Sequence, residues 1–184
     1  MKQRFLALSA EVHPDRVHGA SPAEKGAAQR RYAELNAAYQ RLRAPKERLQ
    51  HLLELEGGGK PEQVQRIPPE LMEMSMEIAQ ACRQADTFLE ERNRTTSPLL
   101  QVQLFERGQE LMERLRAVRQ EIESRHAILV NELKRLDSDW GPDEVRDGAR
   151  RRSALPRLEE LWRLFGYFAR WTGQIEERLV QISL

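Results

Sequence analysis

KQRFLALSAEV (2–12), His13-Pro14-Asp15 and PAEKGAAQRRYAELNAAYQRLR (22–43) read as a helix, a stiff polar corner and a second helix returning antiparallel to the first. Pro14 fixes its own φ, removes a backbone donor and ends the first helix. It also drives His13 out of the helical region, so the chain leaves that helix sharply. Asp15 then carries a carboxylate on a short rigid loop, where an arginine of a partner could pair with it through two hydrogen bonds. An imidazole in such a loop either donates or accepts, and changes charge near neutral pH. The plainer reading, in which Asp15 only caps local backbone, stands beside the docking one.

Outward from this corner the pattern stays helical. Ser21-Pro22 followed by Glu24 is a helix start, with Ser21 as cap and Pro22 at the first helical position. Tyr32, Leu35, Tyr39 and Leu42 recur at spacings of three and four and form one apolar stripe. Pro45 opens a short third helix, PKERLQHLLEL (45–55). Residues 56–69 (EGGGKPEQVQRIPP) hold three glycines and three prolines and break regular structure, which sets a boundary there. The expected division is a first domain over 1–57, a linker over 58–69 and a second domain over 70–184.

Three longer helices are expected in the second domain. The first, from about 70 to 92, carries Leu71, Met74, Ile78, Ala81, Cys82, Ala85, Phe88 and Leu89 on one face. The second, from Pro98 to about 136, carries Leu104, Leu111, Leu115, Val118, Ile122, Leu129, Leu133 and Leu136. Residues 137–154, with Gly141-Pro142, Gly148 and Arg150-Arg151-Arg152, read as a connection with one broken helical turn. The third helix is expected to start near Pro156, with a stripe of Leu158, Leu161, Phe165, Phe168, Thr172, Ile175, Leu179 and Ile182. Three stripes of similar length bury one another as an antiparallel three-helix bundle. The fold class is therefore all-α.

Some large apolar side chains fall off these stripes. Met72 and Met76 lie one turn apart on the first long helix; Leu164, Tyr167 and Trp171, with Trp162 nearby, make a second row on the last. A second apolar row suggests a partner surface, and methionine suits an adaptable contact. A wide core stripe, or packing against the N-terminal helices, would use the same residues; both readings stay open.

Composition bounds the chemistry. The 184 residues carry 30 Lys plus Arg against 29 Asp plus Glu, a net charge of +1, which offers no general attraction to nucleic acid. One cysteine, Cys82, leaves no internal disulfide and no multi-cysteine zinc or iron–sulfur site. No apolar run is long enough to span a bilayer. Lys2, Arg4 and Glu11 interrupt any signal-peptide core, so a cytoplasmic protein is expected. His18, His51 and His126 lack a second metal ligand at useful spacing, and the arginine run at 150–152 reads as a solvated loop. No phosphate loop or nucleophile turn is present, so no catalytic residue, cofactor or metal is assigned.

The chain resembles a known family. His13-Pro14-Asp15-Arg16 with YAELNAAYQRL (32–42) is similar to a J-domain, the module that stimulates ATP hydrolysis by chaperones of the DnaK and HscA type. LRAPKERLQHLLELEG (42–57), ELMEM (70–74) and QIEERL (174–179) resemble HscB, the J-type co-chaperone of iron–sulfur cluster assembly. The likeness runs in order along essentially the whole chain. It implies contact of His13, Pro14 and Asp15 with an HscA/DnaK-type ATPase chaperone, assisted by Lys2, Arg4 and Arg16. It also implies that the second domain binds an IscU-type cluster scaffold. Leu71, Met72 and Glu73 match that motif. The family's next leucine falls on Ser75, with Met76 beside it, and its aromatic position falls at Leu164 and Phe165. J-domains begin with a helix ahead of the one before the tripeptide, and residue 1 falls inside that second helix. The resemblance thus predicts a truncated J-domain with Phe5, Leu8 or Leu42 under-covered.

Three rival readings remain: a J-like or degenerate module with another client, a helical bundle that forms a homodimer through the row at Trp171, and an acid–base pair of His13 and Asp15. The last needs a pocket, and a two-helix turn offers none.

Overall fold

A computed structural model describes residues 1–57, 59, 61, 67–138 and 148–184. These residues are all-α, with no strand among them. The helices are α1 (Lys2–Glu11), α2 (Pro22–Arg43), α3 (Pro45–Gly57), α4 (Met72–Arg94), α5 (Pro98–Ser138) and α6 (Gly148–Ser183). A 3₁₀ turn, Pro14–Val17, lies between α1 and α2, and another, Pro69–Leu71, leads into α4. The chain forms two compact units, Met1–Pro61 and Glu62–Leu184.

In the first unit α2 is the organising element. Its start is a full capping box: the Ser21 hydroxyl accepts from the Glu24 backbone N–H, and the Glu24 carboxylate accepts from the Ser21 N–H at 2.9 Å and from its hydroxyl at 2.7 Å. These bonds hold the Glu24 carboxyl below its ordinary pKa, because they favour the charged form. α1 is too short to persist alone, since isolated helices under about 12–15 residues are marginal in water. It is held by Phe5, whose ring stacks on Tyr39 with centroids 4.0 Å apart. Arg41 pairs with Glu54 at 2.8 Å and ties α2 to α3. No residue of α1 or α2 is fully buried. Phe5 and Leu42 are half-buried, whereas Leu8 is 37% exposed and Leu6 is exposed too.

In the second unit α4, α5 and α6 each pack on the other two. Thr95–Ser97 turns the chain, so α5 runs antiparallel to α4. Arg92, near the end of α4, donates to the Ile182 and Gln181 carbonyls, both at 3.0 Å. It thereby satisfies carbonyls that the C-terminus of α6 leaves without helical partners. The same contact makes α4 and α6 parallel. At the other end Arg157 of α6 grips both Glu132 oxygens of α5, at 2.6 and 2.8 Å, and also meets Glu160 at 2.6 Å. About one turn in from the Arg92 contact, Arg178 of α6 pairs with Asp86 of α4 at 2.9 Å.

The core takes the predicted α4 stripe: Leu71, Met74, Ile78, Ala81, Cys82, Ala85 and Phe88 are buried. α5 contributes Leu104, Met112, Leu115, Val118 and Ile122. On α6 the expected Leu158, Leu161, Phe165, Phe168, Ile175 and Ile182 are buried, and of the two readings open for its second row burial favours the wide core stripe. Leu164, Tyr167 and Trp171, the row read as surplus, belong to the three-helix core together with Phe168, Ile175 and Ile182. Trp162 is buried as well. The α6 face is wide before Trp171 and narrows after it, where Val180 is exposed. A correction concerns the start of α6. It begins at Gly148, so Pro156 lies inside the helix rather than in its first turn. The residues ahead of it are mostly alanine and arginine, good helix formers. Of the connection read at 137–154, residues 139–147 lie outside the described residues, as do the side chains of Arg150 and Arg151.

Candidate functional site

The corner between α1 and α2 is built by its own sequence. Val12 closes α1 with its N–H on the Leu8 carbonyl at 3.1 Å. His13 then turns extended (φ −63°, ψ 132°), the conformation that a following proline enforces. Pro14–Val17 makes one 3₁₀ turn, with the Arg16 N–H on the His13 carbonyl at 3.1 Å. His13 caps this turn: its Nδ1 accepts from the Asp15 backbone N–H at 3.3 Å. The imidazole meets the Tyr32 ring of α2 edge-on, with centroids 5.1 Å apart and planes at 77°. Arg16 reaches back to the Ala10 carbonyl at 3.4 Å, and the His18 ring lies 3.2 Å from the Asp15 carbonyl. The corner is thus tied to α1 through Arg16 and to α2 through Tyr32.

This scaffolding leaves Asp15 facing water. Its side chain is 90% exposed, against 43% for His13, and its carboxylate lies 3.5 Å from His13 Nδ1. The capping role falls to His13, so the carboxylate is held outward without being consumed by local backbone. Pro14 is half-buried and Arg16 is exposed. Lys2 and Arg4 are exposed near the start of α1. Lys2 sits about 13 Å along the helix from Glu11 at 1.5 Å per residue. A surface touching both Asp15 and Lys2 would have to run the length of α1.

The second predicted site divides. Met72 is 46% and Met76 66% exposed, one helical turn apart near the start of α4, with Glu73 exposed beside them and Ser75 half-buried. Leu71, Leu164 and Phe165 are buried, and Phe165 packs on the His126 ring with centroids 5.1 Å apart. The exposed part of the motif is therefore Met72, Glu73 and Met76, with Glu77 on the next turn. An adaptable apolar pair flanked by two carboxylates suits a partner that offers apolar and basic side chains.

Two features escaped the sequence reading. The sequence places Tyr32 only on an apolar stripe, yet it supports His13; the antiparallel return of α2 is the available signal. An exposed apolar run, Leu99, Leu100, Val102 and Phe105, opens α5. The expected stripe began only at Leu104. Among the described residues no three His, Cys, Asp or Glu side chains gather where they could hold a metal, and no helix is long and apolar enough to cross a membrane. No protein-family model matches the chain, and no solved structure matches it.

Proposed function

We propose that this chain is a co-chaperone of the HscB type, with a J-domain-like first unit and a scaffold-binding second unit. The observation that carries the reading is the Asp15 carboxylate, 90% exposed on a corner whose backbone is capped by another residue. In this reading Asp15 pairs with an arginine of an HscA/DnaK-type ATPase chaperone and promotes ATP hydrolysis there. Arg16, and Lys2 and Arg4 farther along α1, add attraction to an acidic surface. Met72, Glu73 and Met76 hold an IscU-type cluster scaffold, which the same protein delivers to the chaperone. The chain performs no bond chemistry of its own. The homodimer reading loses its proposed face, because Trp171 is buried among residues of its own unit.

The direct test of the second half is calorimetry with an IscU-type scaffold. Met72→Ala with Met76→Ala should weaken binding by about ten-fold or more, the scale of anchor side chains in an interface. Unchanged affinity would remove the methionines from the interface.

A further inference from the structure

His13 Nδ1 occupies a position that two groups of the same neighbour compete for. It lies 3.3 Å from the Asp15 backbone N–H and 3.5 Å from the Asp15 carboxylate. A neutral ring with its proton on Nε2 accepts from the N–H and leaves the carboxylate to solvent. A protonated ring carries a proton on Nδ1 as well, cannot accept, and faces a carboxylate within reach. The geometry points to a proton-controlled switch: protonation of His13 draws the Asp15 carboxylate onto the imidazolium and withdraws it from a partner's cation. The inference rests on the docking role proposed for Asp15.

The surroundings favour this local exchange. From the 3₁₀ turn, His13 is faced by Asp15, with Arg16 engaged on the Ala10 carbonyl and His18 beside the Asp15 carbonyl. From α2 it meets Tyr32, whose neutral ring fixes the imidazole without competing for its proton. From α1 the nearest charged residue in sequence is Glu11, which is exposed. Asp15 is thus the carboxylate directly engaged with the ring. The side chains are largely exposed, so the effect is modest: ion pairs of this kind change an equilibrium by about two- to five-fold.

Two measurements on the full chain test the switch. Nitrogen-detected NMR of the imidazoles from pH 8 to pH 5.5 should show neutral His13 with its proton on Nε2. The Asp15 amide resonance should move along the His13 titration curve, and in His13→Gln it should lose that transition. A neutral ring protonated on Nδ1, or an Asp15 amide indifferent to His13, overturns the switch. Binding to a purified DnaK-type chaperone should weaken about two- to five-fold from pH 8 to pH 5.5. His18→Gln should keep that change, and its loss in this variant would overturn the assignment to His13. Equal affinity at both pH values overturns the regulation while leaving the docking role standing. Absence of binding at pH 8 overturns the docking role, and the regulation with it.

Discussion

Single side chains in this protein do their work by accepting or excluding protons and by filling or refusing space. His126 is half-buried on α5 against Phe165 and Phe168, and burial pushes its pKa below the usual imidazole value. The unfolded chain therefore takes up this proton before the folded one does. The contribution of His126 to stability is intact above about pH 6.5, the unfolded value, and falls as pH drops through the lower folded value. In His126→Leu that acid-side loss should shrink, read as a smaller difference between urea midpoints at pH 8 and pH 5. Gly108 shows the spatial case. A Cβ there would lie 3.0 Å from Phe88 Cζ and 3.7 Å from Ile182, where all three long helices meet. Alanine gains about 1 kcal/mol of helix propensity but crowds a ring that is itself buried, at about 1–3 kcal/mol. Gly108→Ala should thus lose about 1 kcal/mol net in urea denaturation.

At the scale of elements, α1 and its corner depend on contacts with α2 rather than on a core of their own. Phe5 on Tyr39 and His13 on Tyr32 are two ring contacts seven residues apart along α2. A stacked aromatic pair contributes about 0.5–1.5 kcal/mol beyond its buried area, so Phe5→Ala should speed amide exchange across α1 by about ten-fold while α4–α6 are unaffected. The elements also show where the sequence was legible. α4 presents a narrow stripe ending in a charged outer face, and periodicity alone identified every one of its buried positions. The corner was equally legible, because Pro14 acts on backbone geometry locally. α6 was legible in part: its expected stripe supplies the buried Leu158, Leu161, Phe165, Phe168, Ile175 and Ile182, whereas Trp162, Leu164, Tyr167 and Trp171 widen the arc, and a period of 3.6 cannot say which side of such an arc meets which neighbour. The family resemblance places Leu164 and Phe165 at a binding surface, although the period itself puts Phe165 on the buried stripe. Pro156 misled because a proline marks a helix start only when nothing helical precedes it. The exposure of Asp15 depended on which side chain capped the 3₁₀ turn, a choice between His13 and Asp15 that composition does not decide.

The whole molecule joins two units of unequal cohesion. Helices α4, α5 and α6 share a continuous apolar core, whereas among the described residues of the first unit only Leu49 and Leu53 of α3 are fully buried. Trp162 and Trp171 are buried in the second unit, and residues 1–61 contain no tryptophan. Heating should therefore reduce helical circular dichroism before tryptophan fluorescence changes; coincident curves would indicate one cooperative structure instead. The functional proposal assigns the less cohesive unit to the chaperone and the more cohesive one to the scaffold.

The central claim is that the outward carboxylate of Asp15 acts on an ATP-driven chaperone. Steady-state ATP hydrolysis by a DnaK- or HscA-type chaperone, with this chain added as wild type or as Asp15→Asn, tests it most directly. Removing one partner of a charge-assisted contact costs about 1.5–3 kcal/mol, so stimulation should fall by about ten-fold or more, with the circular dichroism of the variant unchanged. Equal stimulation by wild type and variant would contradict the account.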